Sequence, residues 1–280
     1  MNSAASKFAL LPFIALAGVL ACGCGEAPCP PIVLDTTGVA PAVNYEPLAE
    51  VLVECVLRNG LADRERLPRY ADTLDRQLAI LAVTGPTATP SLFPTRQDAL
   101  AYWYNACAAW SMKLLLASKC PRLIGAKALL SRQFPIDGRT MTLREIGRVL
   151  AAEEDFRIAA AVPGVTTCCA RLPGAPVEPD GFSQTVERRF AEFLNDHLRV
   201  YIDVPRRRVL IPPVLWQFRD RLIGEYERKY RTQGATLVTA LLARTTGSAH
   251  RRLQEALGYR EVQAVCKKLL TAKHKDDGSR

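Results

Sequence analysis

The stretch of sequence that decides the fold is residues 100–116, which read LAYWYNACAAWSMKLLL. Trp103, Trp110 and Leu114 recur at the four- and seven-residue steps of an α-helix, and Thr95 is placed to cap its first turn. Apolar residues also fill most of the positions between them, so the helix is apolar around most of its circumference. Such a helix is predicted to lie at the centre of a domain, with other elements packed around it.

Amphipathic helices are predicted on both sides of this stretch. Apolar residues recur with helical spacing in residues 48–56, 67–81 and 183–197, and two or three more helices are predicted within 216–270. The repeated helical period predicts a mainly α fold (α+β class), organised as a single domain over residues 44–270.

Two short β-hairpins are predicted between the helices. Asp137-Gly138 is a turn dipeptide between short extended pieces, and residues 201–211 contain two β-branched runs on either side of a proline and three arginines. The first hairpin leads directly into a helix, because Thr142 is followed three residues later by Glu145, which is the spacing of a capping box.

The N-terminus, MNSAASKFALLPFIALAGVLACGCG, has the parts of an export signal. Lys7 supplies positive charge, and residues 8–20 form an apolar run that is too short to span a bilayer stably. Residues 19–22, VLAC, resemble the lipobox of bacterial lipoproteins, in which the cysteine is diacylated and becomes the mature N-terminus. The sequence therefore predicts a lipoprotein signal peptide over residues 1–21 and a lipid on Cys22.

Two alternatives at the N-terminus stay open. Cys24 can carry the lipid instead, and simple cleavage would leave Cys22 as an ordinary residue. Residues 22–43 are rich in proline and small residues and are predicted to form an extended tether, while residues 271–280 form a charged, disordered tail. These features predict an exported protein of the cell envelope, held by its lipid on a membrane, in the periplasm or on the outer face.

Composition narrows the classes of partner. The formal net charge is +9, from 37 Lys and Arg against 28 Asp and Glu, and this favours anionic surfaces. Aromatic residues do not interleave with the basic ones, so nucleic acid is not expected as a partner. The sequence also lacks the motifs of metal, nucleotide and serine-hydrolase sites, so neither a cofactor nor a metal is predicted. Six of the nine cysteines lie in the body of the chain, and the sequence leaves open whether they are buried thiols or disulfides.

Five stretches, in order, are similar to landmarks of the domain-of-unknown-function family number 547, and the resemblance covers residues 44–259. The stretches are LAYWYNACAAWSMKLLL (100–116), PIDGRTMTLREIGRVL (135–150), RIAAAVPGVTTCCARL (157–172), VERRFAEFLND (186–196) and VLIPPVLWQFRDRLIG (209–224). The biochemical role of this family is not established. The resemblance implies an exported or lipid-anchored protein, and the polar residues that the family shares imply a buried reactive site.

At most of those polar positions this chain carries an inert residue. Asn105 and Cys169 match an Asn and a Cys of the family. The remaining positions are occupied here by Ala108, Gly147, Arg148, Ala159 and Gly164, where the family has Asn, Glu, His, His and Cys. A nucleophilic thiol needs a base or a positive field, and acid–base chemistry needs a group that titrates near the working pH. The resemblance therefore implies that this chain is a non-catalytic member.

Two functions are predicted as alternatives. The first is a non-catalytic module at a membrane surface that binds an envelope protein or a glycan. The second is a thiol-dependent hydrolase or transferase in which Cys169 is the nucleophile and Asn105 is a polar orienter. His197 is a candidate base for that thiol, although a histidine at the end of a helix is more simply explained as a surface residue that interacts with the helix dipole.

Overall fold

The computed structural model describes residues 31–117, 129–166, 168–266 and 271–272. Within them the chain is mainly helical with short strands in small sheets, so the predicted fold class is confirmed. The helices are α1 (Glu46–Cys55), α2 (Ala71–Val83), α3 (Arg96–Ala117), α4 (Leu143–Ala151), α5 (Phe156–Ala161), α6 (Phe182–Asn195), α7 (Pro213–Gln217), α8 (Arg219–Tyr230), α9 (Leu237–Leu242) and α10 (Gly247–Glu255). The strands are β1 (Ala62–Asp63), β2 (Phe134–Ile136), β3 (Arg139–Met141), β4 (Tyr201–Asp203), β5 (Arg208–Ile211), β6 (Arg260–Gln263) and β7 (Thr271–Ala272).

The strands form three small sheets. Antiparallel β2 and β3 make the first predicted hairpin, with Ile136 opposite Arg139. Antiparallel β4 and β5 make the second, and β6 adds to it in parallel with β5. Strands β1 and β7 pair in parallel. Both predicted hairpins are therefore confirmed, and the sequence did not predict the third strand of the second sheet.

Helix α3 lies at the centre of the larger of two hydrophobic clusters. Every residue from 100 to 112 is buried, which confirms the central position predicted for this helix. Trp110 is fully buried and stacks on Phe134 of β2 with the ring centroids 3.9 Å apart. Helices α2 and α4 pack directly against α3. The apolar character on most sides is required because the neighbours surround the helix.

The second hydrophobic cluster is built from α6, β5 and the helices α7 to α10. Helix α5 contributes to both clusters. Its Phe156 and Ala160 belong to the second cluster, while Ile158 and Ala161 belong to the cluster around α3. Helix α5, although short, therefore packs in both hydrophobic clusters and positions the segment that follows it.

The turn of the first hairpin closes the end of α2. Asp137 adopts a left-handed conformation with φ of 53°, and the backbone N–H groups of Asp137 and Gly138 donate to two carbonyls in the last turn of α2 at 2.9 and 2.8 Å. The Asp137 carboxylate accepts hydrogen bonds from the backbone N–H groups of Thr87 and Ala88, both at 2.8 Å. One buried aspartate thus joins the hairpin, the helix end and the following loop.

The predicted capping box at the start of α4 is present. The Thr142 hydroxyl accepts from the Glu145 N–H at 3.2 Å, and the Glu145 carboxylate accepts from the Thr142 N–H at 2.7 Å. This cap fixes where the helix begins and therefore which residues face inward. Leu143, Ile146 and Leu150 are the buried ones.

The described part of the predicted tether, residues 31–43, contains neither helix nor strand and lies against the domain. Ile32 is buried in the cluster around α3, and its N–H donates to the Gln133 carbonyl at 2.9 Å. The predicted signal peptide, Cys22, Cys24 and residues 273–280 of the predicted tail lie outside the described residues. Among the helices of the described ranges, none has the length and apolar character needed to cross a membrane.

Candidate functional site

A cavity of about 360 Å³ opens between α3, α4, α5, α7 and residues 162–164 and 168–169. This volume lies within the range of small-ligand sites, about 300–1,000 Å³. We call it the thiol cavity. The polar and sulfur-bearing residues that line it are Cys107, Arg144, Arg148, Cys168, Cys169 and Gln217, and small or apolar residues form the rest of the wall.

Helix α4 brings two arginines to this cavity. Arg144 and Arg148 are four residues apart and therefore lie on the same side of the helix, with Gly147 between them. Both side chains are exposed, in contrast to the apolar face of α4 that packs inward. Both arginines therefore line the cavity and remain accessible to water and to a partner.

Cys169 places a free, half-buried thiol in the wall of the cavity. Its N–H donates to the Thr166 carbonyl at 3.0 Å, and its Sγ lies 3.4 Å from the Thr166 hydroxyl, so a tight turn fixes the residue. Gly164 makes this position possible. A Cβ at residue 164 would lie 2.5 Å from the Cys169 Sγ, which is closer than two side chains can approach.

The other cysteines of the body differ from Cys169 in accessibility. Cys107 also lines the thiol cavity but is buried, and burial, reinforced by the nearby Cys169, raises the pKa of its thiol far above the ordinary value. Burial likewise raises the pKa of Cys55 to about 11. Cys168 forms a disulfide with Cys266, 98 residues later, and so joins the cavity wall to the segment that follows β6. Among the described cysteines Cys169 is the accessible free thiol.

Five positions that the family resemblance singles out converge on this cavity. Gly147, Arg148, Ala159, Gly164 and Cys169 come from α4, from α5 and from the segment after α5, and all of them line the same wall. They are separated in sequence, and only the fold brings them together. Among the described lining residues there is no imidazole and no carboxylate.

Asn105 is fully buried in α3 and is not among the residues that line the thiol cavity. Its Nδ2 donates to the Val177 carbonyl at 2.9 Å, and its Oδ1 accepts from the Val177 N–H at 2.8 Å. Both hydrogen-bonding groups of the amide are thus engaged with one backbone residue. The contacts hold the segment before α6 against α3.

His197 is not among the residues that line the thiol cavity. Its side chain is 65% exposed, its Nδ1 is 3.9 Å from the Asp196 carboxylate, and it lines a different cavity. Cys169, Asn105 and His197 therefore do not come together in one site. The surface interpretation of His197 agrees with this exposure.

The cavity that His197 lines was not predicted from the sequence. It has a volume of about 800 Å³ and lies between the end of α1, residues 170–174 and α6. We call it the arginine cavity, after the four arginines that line it, Arg58, Arg171, Arg189 and Arg199. These four arginines have no common spacing in the sequence, so periodicity gave no signal for the cavity.

Comparison of the chain with family models, with curated proteins and with solved structures finds no match in any of the three. Within the described residues no group of three or more His, Cys, Asp or Glu side chains is arranged to hold a metal ion. The geometry of the two cavities is therefore the basis for a functional proposal.

Proposed function

We propose that this chain is an exported, lipid-anchored member of the domain-of-unknown-function family number 547 that binds an acidic partner at the thiol cavity without transforming it. The observation that carries the proposal is the lining of that cavity. It presents two guanidinium groups and two free thiols, and none of its described lining residues is an imidazole or a carboxylate.

The described lining lacks an imidazole or a carboxylate that could act as a general base or acid. A thiol becomes an effective nucleophile when a base removes its proton or a positive field stabilises the thiolate, and general acid–base catalysis needs a group that titrates near the working pH. The cavity positions where the family has histidine carry Arg148 and Ala159, and neither supplies an imidazole. A cavity wall that lacks an imidazole and a carboxylate is suited to binding a partner without transforming it.

The arginines indicate the chemistry of the partner. Arg144 and Arg148 are exposed, stand one turn apart and make no ion pair with any residue that the structure describes. Guanidinium groups bind carboxylate and phosphate in a planar, bidentate geometry. A carboxylate from an envelope protein or from an acidic glycan fits this opening, and the net charge of +9 favours such a partner.

The test is binding of two acidic probes, poly-L-glutamate and an oligogalacturonate, to the purified protein at low and high salt. The double variant Arg144→Glu/Arg148→Glu should weaken binding about tenfold or more, because two attractive charges become repulsive. The matched control is Arg228→Glu/Arg251→Glu, which makes the same charge change at exposed positions that line neither cavity. Equal losses of affinity in the two double variants would show that binding depends only on net charge, and would reject the thiol cavity as the binding site.

A thiol-dependent hydrolase or transferase is the second candidate, because Cys169 is accessible and the positive charge of Arg148 lies at the same cavity. Cys169→Ser would then abolish turnover of activated esters and thioesters, together with covalent labelling by an electrophilic substrate analogue. The binding proposal expects no turnover by the unmodified protein and unchanged probe affinity in the serine variant.

Lipid anchoring is tested separately from the cavity. Cys22→Ala should remove metabolic palmitate label and leave the protein unprocessed or released from the membrane, because two or more acyl chains are needed for stable anchoring. Label that persists in this variant and disappears in Cys24→Ala would assign the lipid to the second cysteine. Label that is absent from the unmodified protein would reject the anchor.

A further inference from the structure

The arginine cavity carries an excess of positive charge. Its described lining residues include four arginines and two carboxylates, Glu192 and Asp196. Glu192 accepts from Arg189 at 2.9 Å, and the carboxylate of Asp196 pairs with both Arg171 and Arg199. One carboxylate therefore serves two guanidinium groups.

Arg58 adds a further cation at the edge of this cavity. It lies in the loop after α1, its side chain is exposed, and it forms no ion pair with any residue in the described ranges. Its guanidinium is therefore free to turn toward a ligand without breaking an existing contact.

The floor of the cavity is held rigidly. The Arg199 side chain is 1% exposed and its Nε lies 3.2 Å from the Asp196 carboxylate. Arg171 donates to Asp196 at 2.7 Å and also to the Asn59 carbonyl, and Arg189 donates to the Arg171 carbonyl. Donors that are fixed before a ligand arrives lose little conformational entropy on binding.

An apolar edge accompanies the charges. Val53 on α1 is 65% exposed, and the half-buried Val56 and Leu57 continue the same wall. The cavity of about 800 Å³ thus combines a cationic floor with an apolar side, and it is large enough for a small ligand. A ligand that satisfies both features has an anionic head and an apolar tail.

We propose that the arginine cavity binds a small amphiphilic anion, a carboxylate or a phosphate that carries an alkyl or acyl group. The anionic head lies against the guanidinium groups of Arg58 and Arg171, and the tail covers Val53. This site shares no lining residue with the thiol cavity, so it does not depend on the function proposed above.

Titration calorimetry of the full mature protein with octanoate and octyl phosphate tests the proposal. Acetate and inorganic phosphate should bind at least about tenfold more weakly than the octyl compounds, because the buried methylene groups are lost. Arg58→Glu should weaken both octyl compounds about tenfold, since it replaces an attraction by a repulsion. Val53→Asn should weaken the octyl compounds and leave acetate and phosphate unchanged.

The matched control is Arg228→Glu, the same charge change at an exposed residue of α8 that does not line the cavity, and its affinities should stay within about twofold of the unmodified protein. Displacement of octyl phosphate by phosphatidylglycerol vesicles, and not by phosphatidylcholine vesicles, would identify a lipid headgroup as the natural source, whereas displacement by neither would identify a soluble anion. The proposal is overturned if the octyl compounds do not bind, or if Arg58→Glu and Arg228→Glu bind them equally.

Discussion

Replacing Asn105 by alanine is expected to lower the free energy of unfolding by about 3–5 kcal/mol. The amide makes two hydrogen bonds to the backbone of Val177, at 2.9 and 2.8 Å, and the bonded groups are buried. Alanine leaves the Val177 N–H and carbonyl without partners, at about 1–3 kcal/mol each. The removed amide atoms also leave a small cavity in a fully buried helix, which adds to the loss.

Urea unfolding followed by circular dichroism measures this change as a lower midpoint with an unchanged slope. Gln184→Ala is a suitable control, because Gln184 is exposed in α6 and its removal should cost about 0.5 kcal/mol or less. A loss below about 1 kcal/mol for Asn105→Ala would contradict a structural role for this amide. A stable variant that lost Cys169-dependent turnover would instead support Asn105 as a polar orienter.

Asn105→Asp adds a test with a pH dependence. The new carboxyl keeps an acceptor for the Val177 N–H, but it places a second oxygen opposite the Val177 carbonyl. Burial and this repulsion raise the pKa of the new group in the folded state. The loss of folding free energy caused by ionisation of this carboxyl is therefore complete above its raised pKa in the folded state. This loss shrinks as the pH falls below that value, and it is absent below the unfolded-state pKa of about 3.9. A penalty that is independent of pH between 4 and 8 would contradict this account.

Three further predictions concern other parts of the chain. Asp137→Ala should lower the free energy of unfolding by about 2–4 kcal/mol in the same urea assay, because two backbone N–H groups of the loop after α2 lose their acceptor. A midpoint equal to that of the unmodified protein would show that water replaces the lost carboxylate. Burial raises the pKa of Asp196, but the hydrogen bonds and charges of its arginine neighbours outweigh this and lower the pKa overall. The stabilisation that Asp196 provides is therefore full above about pH 4 and is lost as the pH falls through the lowered pKa. Asp196→Asn should flatten that part of the acid-unfolding curve. At pH 8, iodoacetamide should modify Cys169 before Cys107, because the latter is buried and its raised pKa keeps it protonated, and peptide mapping that shows equal rates would contradict the described burial.

Local signals in the sequence were sufficient for most of the fold. The apolar pattern around Trp103 and Trp110 predicts a central helix, because apolar residues on most sides of a helix can be read from its own sequence. The capping box at Thr142 and the Asp137-Gly138 turn are equally local, and both are present. The addition of β6 to the second hairpin, and the pairing of β1 with β7, depend on contacts between distant residues. No local period encodes such contacts.

The candidate sites illustrate the same limit. The sequence offered Cys169, Asn105 and His197 as residues with suitable chemistry, but their distances depend on how α3, α6 and the segment after α5 pack. The arginine cavity depends on an arrangement of elements that no spacing in the sequence encodes. Residue type could be predicted from the sequence, whereas membership of a common cavity could not.

Residues 164 and 169 at the thiol cavity are sterically coupled. A side chain at residue 164 cannot coexist with the present position of the Cys169 thiol, since even a Cβ would approach the sulfur to 2.5 Å. Glycine is therefore required for the observed placement of Cys169. Any larger residue at 164 would require the Cys169 side chain to move. The identity of residue 164 and the position of the Cys169 thiol are therefore sterically linked, and a test of Cys169 chemistry should keep Gly164 unchanged.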